Sequence, residues 1–278
     1  MSNSRSHPAL STARPPAEAI AAMKVDAPTR GNRRLEKLFA AANADPQIRA
    51  WWHVQQVTAD RLTMSDHSWI HIRIVTNIAL RILRLLMRRG VVPNVVSDYG
   101  MDERDAEVLV TAACLLHDAG MSIHRTDHEA YSLFLAAAKL PELLADAYAE
   151  PERSVIVSEA LGAIIGHRRR GEPITLEAGV VRVADALDME EGRSRVPFEA
   201  GRPNIHSLSA AAIDDVVISA GRERAVRIEI AMNNSSGLFQ VDELLATKLR
   251  GSGIEEHLEV VARIEAEHEK RLVPVFRI

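Results

Sequence analysis

A histidine and an aspartate stand side by side at the end of an apolar segment, in the heptapeptide CLLHDAG. The alanines and leucines before them indicate the buried end of a helix, where another apolar residue would pack comfortably. An imidazole and a carboxylate in that position need a partner, because burying a polar or charged group without one costs free energy. His117 and Asp118 are therefore the first candidates for chemistry.

Three more ionisable residues lie on apolar faces of predicted helices. At about 100° per residue, His71 lies on the same helix face as Val75 and Ile82. By the same test, His167 and Asp185 point inward from two later helices. Together with the His-Asp doublet they make five ionisable groups on four segments, which favours one shared partner over five separate hydrogen bonds.

A divalent metal ion is such a partner. Neutral imidazole nitrogen and carboxylate oxygen are its normal ligands, and the cation offsets the buried negative charge. The set contains no sulfur, because the single cysteine, Cys114, lies within the apolar helix and is expected to be a core residue. These ligands leave manganese, iron, cobalt, nickel, zinc and magnesium open, and we favour manganese or iron.

The pattern resembles the HD superfamily of metal-dependent phosphohydrolases. The resemblance rests on His71 in HIRIVTNIA, then the doublet followed by Ala-Gly, and finally Asp185 in VADALD. It covers residues 60 to 190, approximately, and it departs from the family at Ala119, where many members carry a bulkier apolar residue. The stretch from Ser194 onward resembles an extension of uncharacterised bacterial and archaeal members.

The resemblance implies an all-helical core that delivers its ligands to one or two metal ions. It also implies hydrolysis of a phosphate ester or anhydride by attack of a metal-bound hydroxide. The expected ligands of a first metal are His71, His117, Asp118 and Asp185. Members with two metals add two histidines, for which this chain offers His128 and His167, and Asp118 would then bridge the ions. We favour two metals and expect a nucleotide as the substrate.

Two interpretations of Glu129 stay open. Thr126 to Glu129 matches a capping box, in which the first residue caps a helix and the fourth bonds back to it. Alternatively, Glu129 orients a ligand or accepts the proton that the attacking water must lose. On the second interpretation Glu129 joins Asp118 as a catalytic residue.

Cations next to His167 could bind a substrate phosphate. Arg168 and Arg169 follow it directly, and the arginine fork matches phosphate oxygens. Consecutive arginines point in different directions at a helix end, so at most one or two of them can reach the site. His67, one helical turn before His71, is predicted to lie at the mouth of the same site.

Two rival functions also stay open, a non-catalytic HD module that senses a ligand and a di-iron oxygenase of the HD type. The sequence has no His-Glu-x-x-His motif, no phosphate-binding glycine-rich loop and no Gly-x-Ser-x-Gly motif. Zinc proteases, P-loop enzymes and serine hydrolases of the α/β type therefore lose their support.

The elements that must position these residues are mostly helices. Apolar residues recur at helical spacing from about residue 32 to 190, which predicts about seven helices. Beyond them, alternating apolar residues predict two strands, then two helices and a last strand in VPVFRI. The predicted strands cover residues 213–219 and 226–230, and the predicted helices cover 241–249 and 255–270.

The predicted fold is mainly α, with an all-helical HD core and a small C-terminal α+β domain. Residues 1–30 are rich in serine, alanine, proline and arginine without periodicity, which predicts a disordered tail. The helical domain is expected over 31–200 and the α+β domain over 201–278, joined through 198–204.

The composition of the chain limits the partners and the location that can be expected for it. Its 278 residues are 47% hydrophobic, which is enough for a sizeable core. A net charge of -4 argues against general binding to nucleic acid, and no apolar run has the length of a membrane span. One cysteine and the absence of a secretory leader predict the cytoplasm, and the C-terminal domain could form a homodimer.

Overall fold

The computed structural model describes residues 17–62, 64, 67–189, 209–264 and 275–277, and it confirms a mainly helical fold. Within these ranges the helices that precede residue 190 are α1 (Ala17–Ala22), α2 (Arg33–Ala44), α3 (Pro46–Leu62), α4 (Trp69–Arg88), α5 (Asn94–Tyr99), α6 (Glu103–Leu116), α7 (His128–Leu143), α8 (Glu152–Gly166) and α9 (Leu176–Leu187). A short 3-10 turn, Ala119–Ser122, lies between α6 and α7.

A four-stranded sheet follows the helices, with strand order β1-β2-β3-β4. Its strands are β1 (Ile213–Ala220), β2 (Val226–Met232), β3 (Leu258–Ile264) and β4 (Val275–Arg277). β2 pairs antiparallel with β1 and parallel with β3, and β4 pairs antiparallel with β3. The parallel pair requires a crossover. That crossover contains a π-helical segment, Gln240–Ala246, which continues into the short helix α10 (Thr247–Leu249).

Helix α6 lies at the centre of the helical body. Every residue from Asp105 to Leu116 is buried, and the helix contacts α2, α4, α8 and α9. Its buried charges have partners, since Arg84 Nε donates to Glu107 Oε1 at 2.6 Å and Tyr148 donates to Asp105 Oδ1 at 2.6 Å. The C-terminal end of α6, which carries the His-Asp doublet, therefore lies inside the protein.

The helices around the site begin at defined residues. Ser68 caps α4 by accepting from the Ile70 N–H, and Thr175 caps α9 by accepting from the Ala178 N–H. α6 begins with a capping box that Asp102 forms with Asp105. These caps set the residue at which each helix begins, and the helical period then determines which side chains share a face.

The helix predicted over 255–270 is wrong. Glu255–His257 is a single 3-10 turn, and the strand β3 follows it directly. β3 lies between β2 and β4, and Leu258, Val260, Val261, Ala262 and Ile264 are all buried. A strand that is buried on both faces has a nearly continuous apolar run, and here that run prevails over the helical spacing of the charges. Residues 265–270 lie outside the described ranges.

The disordered tail predicted over 1–30 is wrong from residue 17 onward. The structure forms α1 there, and Met23 and Val25, which follow α1 in the chain, are buried in the core. The Asn43 side chain binds both backbone groups of Val25, accepting from its N–H at 2.9 Å and donating to its carbonyl at 2.8 Å. The buried side chains of Met23 and Val25 and these two hydrogen bonds hold the segment against α2.

The sheet packs against the helical body. Ile218 of β1 and Ile228 of β2 belong to the same buried cluster as Val75 of α4, and β1 contacts α4 directly. The predicted connection between the two domains, 198–204, lies outside the described residues, so the division at about residue 200 stays a prediction. No helix in the described ranges combines the length and the apolar character that crossing a membrane requires.

We expect Gly120→Ala to destabilise the protein. Gly120 lies in the 3-10 turn after the doublet, and a Cβ added there would lie 2.0 Å from the His128 carbonyl oxygen and 2.6 Å from the Ser132 nitrogen. Because both atoms are backbone, the start of α7 must move. The free energy of unfolding, measured by urea denaturation, should fall by about 1–3 kcal/mol or more.

The matched control is Gly162→Ala within α8. A Cβ there meets nothing within 4 Å, so the stability should stay unchanged or rise by up to about 1 kcal/mol. Equal stability of the two variants would contradict the close approach of the turn to α7.

Candidate metal centre

The six predicted metal ligands come from the ends of five helices. His71 lies in the first turn of α4, His128 begins α7, and Asp185 lies in the last turn of α9. His117 and His167 are the C-caps of α6 and α8. All six residues are buried, with at most 8% of their surface exposed. They are His71, His117, Asp118, His128, His167 and Asp185. The fold therefore brings them into one interior region.

The carboxylate of Asp118 lies at the centre of this group. Its Oδ2 is 3.3 Å from His71 Nε2 and 3.4 Å from His117 Nε2. Its Oδ1 is 3.1 Å from His128 Nε2 and 3.8 Å from His167 Nε2. Each oxygen thus faces its own pair of imidazoles, and each imidazole presents Nε2.

Asp185 joins the first pair of imidazoles. Its Oδ1 is 3.3 Å from His71 Nε2 and 3.9 Å from His117 Nε2. Two donor groups result, one of His71, His117 and Asp118 and one of Asp118, His128 and His167, and within each group the donor atoms lie within 4.8 Å of one another. Both groups could hold a metal ion, and they share Asp118.

The outward nitrogen of each histidine is bound to the protein. In three of them Nδ1 contacts a main-chain carbonyl three residues earlier: Cys114 for His117 at 2.8 Å, Arg125 for His128 at 3.0 Å and Ile164 for His167 at 2.5 Å. A carbonyl oxygen can only accept, so Nδ1 carries the proton in His117 and His167. In these two residues the neutral ring then keeps the lone pair of Nε2, which points toward Asp118 and suits a metal ligand. In His128, Nδ1 also lies 3.0 Å from Nη1 of Arg125, which can only donate, so these contacts do not set the tautomer of that ring.

This arrangement explains why the histidines stand where helices end. The last carbonyl groups of a helix have no partner within the helix. His117 and His167 satisfy such carbonyls at the ends of α6 and α8, and that bond also sets the direction of each ring.

The electrostatics of the centre fit a divalent cation. Burial alone would raise the pKa of Asp118, but the rings of His117 and His128 hold it well below its usual range. Burial lowers the pKa of His167 to about 3 and also lowers the pKa of His117. Asp118 Oδ2 is buried and makes no hydrogen bond to any described residue. Burial alone would lower the pKa of His128, but its hydrogen bond with Asp118 raises it. A buried carboxylate oxygen among imidazole nitrogens is a donor set for a divalent metal.

Glu129 lies beside this centre, with Oε2 at 3.3 Å from His128 Nδ1. The capping box predicted from Thr126 is wrong, because the residue that precedes α7 is Asp127 and its side chain makes no capping bond. Asp127 has a φ of 58°, a left-handed conformation that aspartate tolerates. The first residue of a capping box needs an extended backbone instead. The orienting role of Glu129 stays a prediction.

The predicted phosphate-binding residues have different surroundings. His67 is buried at the centre, with its ring centroid 5.6 Å from that of His71 and 6.4 Å from that of His128. Arg169 is exposed and pairs with Glu243 at 3.1 Å, so its side chain is engaged elsewhere. Arg168 is half-buried.

Two residues of the site were missed by reasoning from the sequence. Asp188 Oδ2 accepts from His71 Nδ1 at 2.5 Å, which orients the fourth histidine. Asp188 is the second aspartate of VADALD, which could have drawn attention to it. However, Asp188 follows the end of α9, where helical periodicity no longer predicts the direction of a side chain. Lys248 Nζ donates to Asp185 Oδ2 from 63 residues away, and no sequence signal pointed to it.

Comparison with known proteins gives a family match over the part of the chain that contains all six candidate ligands. The HD domain family matches residues 66–190. The uncharacterized protein MJ1020 of Methanocaldococcus jannaschii is 38% identical over 207 residues, which cover 74% of this chain and 80% of that protein. No solved structure matches the chain significantly.

The site and these matches define the class of this protein, a helical HD module with a buried His/Asp cluster that could hold a metal ion. The chain belongs to the HD domain family, a superfamily of mostly metal-dependent phosphohydrolases. The similarity to MJ1020 is longer than the HD match, so it continues into chain outside the HD domain.

We expect Asp188→Asn to weaken metal binding about 10–100-fold, as loss of a partner that orients a ligand does. The amide keeps the size of the side chain but removes the charge that fixes the His71 ring. The affinity for Mn²⁺ can be measured by isothermal titration calorimetry on the metal-free protein.

Asp26→Asn is the control, because Asp26 lines the same surface pocket as Asp188 and is exposed. This variant should bind Mn²⁺ as the wild type does. Equal affinity in all three proteins would show that Asp188 does not support the metal ligand.

Proposed function

We propose that this protein is a metal-dependent phosphohydrolase that cleaves a phosphate ester or anhydride of a small molecule, with a nucleotide as the expected substrate. The observation that carries the proposal is the position of Asp118, whose two oxygens face two separate pairs of Nε2 atoms. A centre for a single ion would not need a second pair of histidines. The geometry therefore favours two ions over one.

The first ion would be held by the group that includes Asp185, and the second by the group that includes His128 and His167. Manganese and iron suit this mixed set of nitrogen and oxygen donors. When bound, two such ions lower the pKa of a water molecule and offset the charge of a phosphoryl group. Asp118 is the shared ligand in this scheme.

The remaining residues near the centre would handle protons and the substrate. Glu129 contacts Nδ1 of His128, so it can orient that ring. Its carboxylate is also our candidate for accepting a proton from the attacking water. His67 is buried between His71 and His128, where it can donate to a phosphate oxygen. Arg168 stays a candidate for the same role.

We further propose that the protein works in the cytoplasm, where a chain with one buried, reduced cysteine is stable. A homodimer stays an expectation from the sequence.

The direct test is a screen of phosphorylated compounds with defined metals. Protein treated with a chelator should hydrolyse none of a panel of nucleoside mono-, di- and triphosphates and simple phosphate esters. Adding Mn²⁺ or, without oxygen, Fe²⁺ should restore turnover of at least one nucleotide, followed as released inorganic phosphate.

Asp118→Ala should remain inactive after chelation and addition of Mn²⁺ or Fe²⁺. It should bind neither ion, because the substitution removes the shared ligand. Asp146→Ala is the control, because Asp146 is exposed and distant from the ligand set in sequence, and it should regain full activity. Circular dichroism should show that both variants keep their helical content.

Three results would contradict the proposal. Full turnover by Asp118→Ala would refute the shared ligand. Protein that binds no metal would favour a module that senses a ligand without catalysis. Two bound irons with oxygen consumption and no release of phosphate would favour an oxygenase.

A further inference from the structure

We propose that Lys248, which lies in the C-terminal part of the chain, binds the phosphate group of the substrate in this centre. The inference rests on the proposed phosphohydrolase function. It assigns to the segment around α10 a direct part in the active site, in contrast to a separate regulatory or dimerising role.

The first support is the contact between Lys248 and Asp185. Lys248 Nζ donates to Asp185 Oδ2, while Asp185 Oδ1 faces His71 Nε2 at 3.3 Å. An ammonium group has three N–H donors, and Asp185 is the acceptor that the described residues provide for it. The lysine thus holds a positive charge beside a predicted metal ligand with donors left for a second anion.

The second support is the anchoring of the Lys248 backbone by Arg182. Arg182 is buried in α9, one turn before Asp185 on the same helix. Its Nε donates to the Lys248 carbonyl at 2.8 Å, and its Nη2 donates to the Thr247 carbonyl at 3.4 Å. The same guanidinium donates to the Arg169 carbonyl at 2.9 Å. One buried side chain therefore ties α10 to α9 and to the loop that follows His167.

The third support is the close approach of Gly179 to the loop after α10. A Cβ on Gly179 would lie 2.1 Å from the Ser252 carbonyl oxygen, so only glycine permits this contact. Because Gly179 and Arg182 both belong to α9, the helix that carries Asp185 holds the segment of Lys248 at two points. These contacts hold the backbone of this segment, and Asp185 holds the ammonium group, so binding of an anion costs little further side-chain entropy.

The charges of the centre favour a phosphate as that anion. Two divalent ions would carry four positive charges, which would be balanced by the four carboxylates at or beside the centre: Asp118, Glu129, Asp185 and Asp188. The histidines are neutral when they act as ligands. Lys248 adds one more positive charge on the side of Asp185. Of the two arginines predicted for phosphate, Arg169 pairs with Glu243 instead. A phosphate group supplies both the negative charge and the acceptor oxygens that this arrangement lacks.

One rival explanation is that Lys248 only neutralises Asp185 when no metal is bound. In that case metal and lysine compete for the same carboxylate. Removing the lysine would then strengthen metal binding and leave phosphate binding unchanged.

The test measures the affinity of the full-length, Mn²⁺-loaded protein for inorganic phosphate by isothermal titration calorimetry. We expect Lys248→Met to weaken this affinity about tenfold or more, which is the effect of losing one charge-assisted hydrogen bond. Lys248→Arg should keep most of it. Lys248→Gln serves as a second neutral variant if the methionine variant fails to fold.

Arg250→Met is the matched control, since it removes an exposed cation two residues away, and it should bind phosphate like the wild type. The Mn²⁺ content is measured on every protein and should stay at the wild-type value. Unchanged phosphate affinity in Lys248→Met, or no phosphate binding by the wild type, would overturn the proposal.

The outcomes also separate this proposal from the proposed function. Suppose that the wild type hydrolyses no phosphate compound, but that Lys248→Met binds inorganic phosphate more weakly than the wild type does. The catalytic proposal then fails and the role of Lys248 stands. If the wild type is active and Lys248→Met keeps both its phosphate affinity and its KM, the role of Lys248 is wrong and the function stands.

Discussion

The buried carboxylate of Asp118 is the interaction on which the rest of the site depends. An ionised group that is 2% exposed requires compensation. Burial lowers the pKa of His117 and of His167, so these two rings offer nitrogen lone pairs in place of positive charge. A divalent cation held by Asp118 and the imidazoles would supply this compensation. The helices of the HD core end at this point, and His117 and His167 each bind a free carbonyl of the last turn while turning Nε2 inward. The carbonyl groups that have no partner within the last helical turn thus orient the ligand histidines.

Much of this site could be predicted from local patterns, because α-helices have a regular period. His71 and Asp185 share a face with apolar residues, and the structure buries both. The doublet closes an apolar helix, and α6 ends at Leu116 directly before it. His128 and His167 followed from the family resemblance, and the structure brings both to Asp118 Oδ1. The strands β1 and β2 were also predicted, since alternation of apolar and polar residues indicates a half-buried strand.

What could not be predicted depends on tertiary contacts. The charges of 255–270 have helical spacing, but pairing with β2 makes Leu258–Ile264 a central strand. Asp188 lies beyond the end of α9, so its contact with His71 follows from the path of the chain after that helix. Lys248 reaches Asp185 only because Arg182 and the close packing at Gly179 hold α10 against α9. Such contacts join residues far apart in sequence and leave no local periodicity.

Anomalous diffraction from crystals of the Mn²⁺-loaded protein tests the central claim most directly. If Asp118 joins two metal sites, the map will show two manganese peaks, one at about 2 Å from Oδ1 and the other at about 2 Å from Oδ2 of this residue. The first peak should lie among His128 and His167, and the second among His71, His117 and Asp185. A single peak, or peaks that do not contact Asp118, would contradict the account.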